Sequence, residues 1–351
     1  MKNYIAEILR SNRLDRDKNG FSTLRTPSEK LKVVFFKLGI SIFENISLVY
    51  ICLIYYATTI FTGLFLDKKI TGDLTFYYSI FSQYLFAFFF LIWSGETIIY
   101  MAKNLEKGFE GIPIIWRKLR NKYLSVDVIP QFLIIFLLIP LFICSYSSLK
   151  QTIPLINGFT FDLTLYKIDK FLHFNHTPWE LLQPLIGYPA VTKFIDFCYL
   201  AWGSIFVYSL LYMACHKSRK LRLQFFISLA CCWIFIGNVL ANIFSSAGPC
   251  YFSRVTGLSA NPYAGLFSYL ESVPQLGAIT NQDLLWRAYK ADIFMPLGGI
   301  SAMPSMHVSI AVLLALLYKN FGKWQGRLLI LFAAIIQIGS VHLGWHYAVD
   351  G

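Results

Sequence analysis

The sequence predicts an all-α, polytopic membrane protein, and three observations predict it. Hydrophobic residues make up 56% of the chain and charged residues only 14%, a mixture far from that of a soluble domain. Several windows reach the roughly 20 mostly apolar residues that a helix needs to cross a bilayer. Lys and Arg gather in alternate connections between those windows, as the orientation rule for short cytoplasmic loops requires.

Taken in order, residues 1–45 form a basic, polar arm with Lys2, Arg10, Arg13, Arg16, Lys18, Arg25, Lys30, Lys32 and Lys37. The arm lacks the apolar core and small-residue cleavage site of a signal peptide and is expected to be cytoplasmic. Three accessory spans follow within residues 46–149: 46–66, the anchor, then 74–100 and 128–149. The connection before the third holds Lys103, Lys107, Arg117, Lys118, Arg120 and Lys122 and belongs on the cytoplasmic side. Further spans are predicted over 194–215, 224–246, 304–318 and 327–341, the last two short. "HKSRKLR" and the group Lys319, Lys323 and Arg327 return to the cytoplasmic side, which gives about seven alternating spans with the N-terminus in the cytoplasm.

The net charge of +12 is therefore an orientation signal with some attraction to anionic lipid headgroups. Nucleic acid is not an expected partner, because that would need a basic face on a soluble module. Six of the seven cysteines lie in or against the spans and only Cys250 sits in an external connection, so no disulfide framework is implied.

Three external pieces are unusual. Residues 150–190 contain "FDLTLYKIDKFLHFNHTPWELLQPL", whose apolar positions recur at helical spacing and predict one or two amphipathic helices on the membrane surface. Residues 247–303 form a long connection containing "SSAGPCYFSRV", the helical-looking "NQDLLWRAYKA" and the lead into "GGISAMPSMH". The third piece is "GSVHLGWHYAVDG", in which His342, His346 and Asp350 recur at i, i+4 and i+8 and would share one face if the stretch were helical. The alternation brings His307, His346 and Asp350 to the outer side from different spans. A strong ion in hydrocarbon costs about 2.5–3.5 kcal/mol, so titratable groups there call for a functional reason.

"PSMH", followed about forty residues later by "HYAVD", resembles the second and third signature motifs of the type 2 phosphatidic acid phosphatase (PAP2) superfamily. Those motifs read PSxxH and SRxxxxxHxxxD. The wording "GGISAMPSMHVS", with "SAGP" upstream and "WHYAVD" downstream, is most similar to the branch of inositol phosphorylceramide synthases and their bacterial relatives. The resemblance covers residues 150–351, the expected catalytic domain. It implies a helical bundle of the PAP2/chloroperoxidase type, and since the last core span of that bundle has no counterpart after Asp350, the chain is expected to be C-terminally truncated and poorly active alone. It also implies a site on the periplasmic, extracellular or lumenal face, with a bacterial inner membrane favoured.

By the same resemblance His346 would be the nucleophile that forms a phosphohistidine, Asp350 would orient it, and His307 would protonate the leaving oxygen. Ser305, with backbone N–H groups at its helix start, would hold phosphate oxygens. The family needs no metal or other cofactor; its substrates are membrane lipids, and its acceptors are water or a lipid or small alcohol. The residue chemistry agrees. A neutral imidazole is a competent nucleophile near pH 7, and a carboxylate four residues away can fix its tautomer. A second histidine suits protonation of an alkoxide, and Pro304-Ser305 marks a helix N-terminus, where free N–H groups favour an anion.

Departures from the family pattern are plain. The first motif, a Lys and an Arg-Pro pair, is not legible; Ser340 stands where the third motif has Arg, and Gly339 where it has Ser. A phosphoryl group in transfer needs positive partners. Arg254 is the leading candidate, with Lys193 and Arg287 behind it; Ser340 and Gly248 are further candidates for phosphate contact. Few cations fit a phosphodiester donor, which carries one negative charge, better than a monoester.

Plainer readings stand beside these. His342 would be packing, Ser305 a simple helix cap, Asn238 and Asn242 helix-joining groups, and Lys193 with Asp196 an ion pair. Two other functional classes remain open. One is a metal-dependent membrane hydrolase with His342, His346 and Asp350 as ligands, and the other is a transporter, as intramembrane His and Asn often mark pathways.

Overall fold

The computed structural model describes residues 27–70, 72–104, 111–125 and 127–351, with no side chains described for 27–32. Most of the basic arm, and Lys107, lie outside the described residues. Every regular element among the described residues is helical. In chain order they are α1 (Pro27–Glu44), α2 (Ile46–Phe65), α3 (Leu74–Lys103), α4 (Ile112–Tyr123), α5 (Ile129–Asn157), α6 (Asp162–Leu172), α7 (Pro178–Ile186) and α8 (Pro189–Ala214). Then come α9 (Arg219–Ile243), α10 (Phe252–Thr256), α11 (Ala264–Ser272), α12 (Gly277–Lys290), α13 (Met306–Tyr318) and α14 (Lys323–His342).

Among these, α2, α3, α5, α8, α9 and α14 are long and apolar enough to cross a membrane. The protein is thus an all-α, polytopic membrane protein. The sixth predicted span differs: α13 has 13 residues, about 20 Å of rise against about 30 Å of hydrocarbon. The third predicted span also differs, since α5 runs on through Lys150 to Asn157 and the expected domain boundary at 149/150 falls inside a helix. The surface segment forms two helices, α6 and α7, as expected, and "NQDLLWRAYKA" lies in α12.

The chain divides into two compact units. One comprises residues to Ile46 with Trp93–Phe136. Within it Glu96, in the second predicted span, pairs with Lys118 at 2.7 Å, and Lys37 pairs with Asp127. The other unit comprises Ser47–Ile92 and Leu137–Gly351 and contains every candidate site residue.

The second unit is organised around α8, α13 and α14. α13 is apolar all round, "MHVSIAVLLALLY", as suits a helix set among others in a membrane, and Ile310, Ala311 and Leu314 on it are fully buried. Ser209 near the end of α8 meets Tyr318 at the end of α13, while Tyr199 stacks on His307 at its start, so the two helices run in the same direction. α14 returns antiparallel and brings His342 back to Thr192 near the start of α8. Gly339 explains one departure from the family pattern: a Cβ there would lie 2.7 Å from Cγ2 of Ile195, so α14 and α8 approach too closely for serine. The common core joins Ile195, Val308, Ala311 and Ile336 of these helices to Leu165 of α6 and to Leu266 and Leu270 of α11.

α9 contains a π-helical stretch, Cys232–Leu240, with Asn238 inside it. Asn238 accepts a hydrogen bond from Tyr55 of α2, and Asn157 of α5 donates to the Asn242 carbonyl at 2.8 Å. Both asparagines join helices, the plainer of their two readings.

Candidate active site

Two helix ends and two buried carboxylates build the site. At the start of α13, Ser305 is the N-cap: its backbone is extended and its hydroxyl accepts from the Val308 N–H at 3.5 Å. The first-turn amides of Met306 and His307 have no acceptor within their own helix, which gives this end its affinity for anions. The loop leading into it is tied to the "SSAGP" segment, since Ala302 N–H donates to the Ser246 carbonyl at 2.9 Å and Met303 N–H to its hydroxyl at 3.0 Å.

At the end of α14 the structure departs from the expected helical continuation. The helix stops at His342 because Gly344 takes a left-handed conformation, φ 72°, and the N–H groups of Trp345 and His346 fold back onto the Ser340 carbonyl at 2.9 and 3.1 Å. A short 3₁₀ turn, Ala348–Asp350, follows. The four-residue spacing of His346 and Asp350 is closed on this turn and not on a helix face. Oδ2 of Asp350 lies 3.3 Å from Nδ1 of His346 and accepts the Tyr347 N–H at 2.9 Å.

The break separates His342 from the other two. Nε2 of His342 meets the Thr192 hydroxyl at 2.9 Å, both residues buried in the bundle, and Thr192 meets the hydroxyl of half-buried Tyr269 at 2.7 Å. Among the described residues no three His, Cys, Asp or Glu side chains come together to hold a metal ion, so the proposed trio of ligands is not assembled. The one-face reading of positions 342, 346 and 350 fails because it assumed a helix where Gly344 ends one.

His307 and His346, from different helices, come together with ring centroids 6.3 Å apart. His307 is held on its other sides by Tyr199, stacked at 4.5 Å, and Trp202, also at 4.5 Å, whose indole N–H donates to the His307 carbonyl at 3.0 Å. Burial pushes the Asp350 carboxyl up to about 6, against the opposing pull of its hydrogen bond from His346. When Asp350 is ionised, His346 Nδ1 donates to it and Nε2 carries the free lone pair. That nitrogen is a nucleophile, and the second imidazole across the gap can give or take a proton.

Asp162 and Asp169, which sequence reasoning passed over, hold this end together. Both lie on α6 and are fully buried. Asp162 accepts the Ala247 and Gly248 N–H groups, each at 2.8 Å, and the Tyr347 hydroxyl at 2.8 Å. Asp169 accepts the Ala348 and Val349 N–H groups at 2.7 and 3.0 Å. Burial raises both carboxyls and these hydrogen bonds oppose the rise. Their only sequence signal is the separation of seven, two helical turns, in "DLTLYKID".

The other candidates are not brought into the pair. The Gly248 N–H serves Asp162, and its φ of 97° and the 2.5 Å from a Cβ to the Trp345 carbonyl explain why it is glycine. The Ser340 hydroxyl donates to the Gln337 carbonyl at 2.7 Å, so this buried residue acts on the site through its own carbonyl. Arg254 is exposed on α10 with its guanidinium over the rings of Tyr251 and Trp286. Arg287 pairs with Asp283 at 2.7 Å. Lys193 is exposed, and the expected pair with Asp196 does not form, because the Asp196 carboxylate caps α12 through the Gly277 and Ala278 N–H groups at 2.8 and 2.9 Å.

Tyr199 was also missed. Among the described residues its buried hydroxyl has no hydrogen-bond partner, nor has Oδ1 of Asp350. A buried polar group without a partner calls for a reason, and the polar atoms of a ligand are one.

No curated protein and no solved structure matches the chain. A family match covers residues 163–351, which include His307, His346, Asp350 and the turns that carry them. More than half of the chain is matched, and the protein belongs to the PAP2 superfamily, whose members are phosphatases and phosphotransferases.

Proposed function

We propose that the protein is a membrane phosphotransferase that moves a phosphoryl-headgroup unit from a phospholipid to an alcohol acceptor, in the manner of inositol phosphorylceramide synthases. The observation that carries the reading is the approach of His307 and His346, 6.3 Å apart, with Asp350 on Nδ1 of the latter.

The steps follow from that arrangement. Nε2 of His346 attacks phosphorus; an N–P bond forms and the P–O bond to the departing alcohol breaks. His307, protonated, gives its proton to that oxygen. Asp350 stabilises the positive charge that grows on His346. In the second half His307, now neutral, takes the proton of an incoming hydroxyl, which attacks the phosphohistidine and frees His346. The Ser305 cap and the amides that follow it suit the phosphoryl oxygens.

Transfer of a diester unit is favoured over phosphate release by the scarcity of positive charge. Arg254 and Arg287 are engaged elsewhere, and Ser340 occupies the arginine position of the third motif. The distribution of Lys and Arg supports a cytoplasmic N-terminus and a site on the opposite face. Incubation with lipids labelled separately in phosphate and headgroup tests the reaction. Both labels moving together onto an alcohol, and staying in place with His346→Ala, is the expected result. Release of free phosphate instead makes the protein a lipid phosphate phosphatase, and unchanged turnover by His346→Ala removes the phosphohistidine mechanism.

A further inference from the structure

We infer that Lys150, on α5 and outside the family-matched segment, is the positive partner of the phosphoryl group at the His307/His346 pair. The inference rests on the functional reading above and names a residue that this reading lacks.

Lys150 lies on α5 where the helix passes beneath the loop leading to Ser305. Its Cγ would be 3.2 Å from a Cβ at Gly299, and the next residue, Gln151, accepts the Met295 N–H at 2.9 Å, which fixes the loop on this turn of α5. Gly299 has φ 104° and no side chain, so the lysine stem can lie directly against the loop. Lys150 is half-buried, and among the described residues no carboxylate or other hydrogen-bond partner engages it. Tyr146, one turn before Lys150 on α5, and Met306, next to His307, both close on Gly237 of α9, 2.7 and 3.0 Å from where a Cβ would stand, so this part of α5 lies against the start of α13. A half-buried ammonium with no counter-ion, on the stretch of helix that packs at the start of α13, is complementary to an anion held at the facing imidazoles of His307 and His346.

One lysine in that position matches the single charge of a phosphodiester, and a flexible ammonium follows phosphorus between donor and acceptor as a point charge. The sequence hid this residue because it sits near the end of a long apolar helix, 155 positions before Ser305, where no motif points to it.

The test is equilibrium dialysis of labelled inorganic phosphate against the full chain in detergent micelles, run beside the double-label turnover assay. A hydrogen-bonded ion contact contributes about 1.5–3 kcal/mol, so Lys150→Met is expected to weaken phosphate binding about 10- to 100-fold, and Lys150→Arg to restore most of it. If Lys150→Met lowers the thermal unfolding midpoint, the pair Lys150→Arg and Lys150→Gln decides: both keep a long polar side chain and only one keeps the charge. Phosphate binding equal in Lys150→Met and parent, or equal in the Arg and Gln variants, overturns the inference, as does a parent that binds no phosphate. Failure of the functional reading is separate: there His346→Ala turns over lipid like the parent, whatever the lysine variants do.

Discussion

Tyr347 donates its hydroxyl hydrogen to Asp162 at 2.8 Å although 185 positions separate the two residues. The same carboxylate accepts two amides of the "SSAGP" loop. A single side chain on a surface helix thereby fixes the turn that carries His346 against the loop that supports the start of α13. Asp162→Asn, which turns one acceptor oxygen into a donor facing N–H or O–H, leaves buried donors unsatisfied at about 1–3 kcal/mol. The expected outcome is a lower thermal midpoint and a fall in kcat with little change in lipid KM. Tyr347→Phe removes one of the three bonds and is expected to give a smaller loss of both.

The acid limb of activity follows from Asp350. Its carboxyl is pushed up to about 6 by burial, so it is ionised above that pH and neutral below it. Only the anion holds the Nδ1 proton of His346 and stabilises the imidazolium. Activity is expected to fall about tenfold per pH unit below 6. A pH–rate profile of the parent that stays flat down to pH 5 contradicts this.

The same shift has the opposite sign for stability. A carboxyl whose pKa is raised on folding contributes stability below its unfolded value near 3.8, and that stability is lost as pH rises through about 6. The shift corresponds to roughly 3 kcal/mol at neutral pH. Asp350→Asn, inactive or nearly so, is therefore expected to unfold at a higher temperature than the parent at pH 7.5 and to lose that advantage at pH 4.

His342 separates two chemistries. It is hydrogen-bonded inside the bundle to Thr192, away from His346 and Asp350. His342→Gln, which keeps a polar tip, is expected to retain more than about a tenth of parental kcat, whereas His346→Ala loses three orders of magnitude or more, on the order of other covalent nucleophiles. Treatment with EDTA is expected to leave turnover unchanged. Equal loss in the two variants together with sensitivity to chelation brings back the metal reading.

Gly248 is a backbone position without an alternative. Its φ is 97°, and a methyl carbon placed on its Cα would lie 2.5 Å from the Trp345 carbonyl oxygen, so Gly248→Ala must shift the His346 turn. Strain of this kind costs about 1–3 kcal/mol. A lowered unfolding midpoint with reduced kcat is the expected pair of effects, read by thermal denaturation in detergent and by lipid turnover.

Much of this was legible in the sequence because long apolar runs and two short motifs are local signals. Residues 46–66 and 74–100 were found by length and hydropathy, and His307 and His346 by their place beside a helix start and in "HYAVD". The end of α14 was misread although Gly344 stood in "HLGWH" as a stop signal, because the i, i+4, i+8 pattern of His342, His346 and Asp350 competed with it. The predicted span 128–149 stops short of the end of α5 because hydropathy falls at Lys150, Gln151 and Thr152 while the helix itself continues to Asn157. Asp162, Asp169 and Asp196 were invisible as structural anchors for another reason: their partners are main-chain amides of distant loops, which leave no trace in side-chain spacing.

The Ser305 N–H donates to the Asp350 carbonyl at 2.7 Å. The residue that caps α13 and the residue that holds the His346 ring therefore share one bond across two motifs otherwise read as independent. Because the bond is main chain to main chain, a shift of either backbone is passed to the other, and changes at 305 and 350 are expected to be non-additive in a double-mutant cycle.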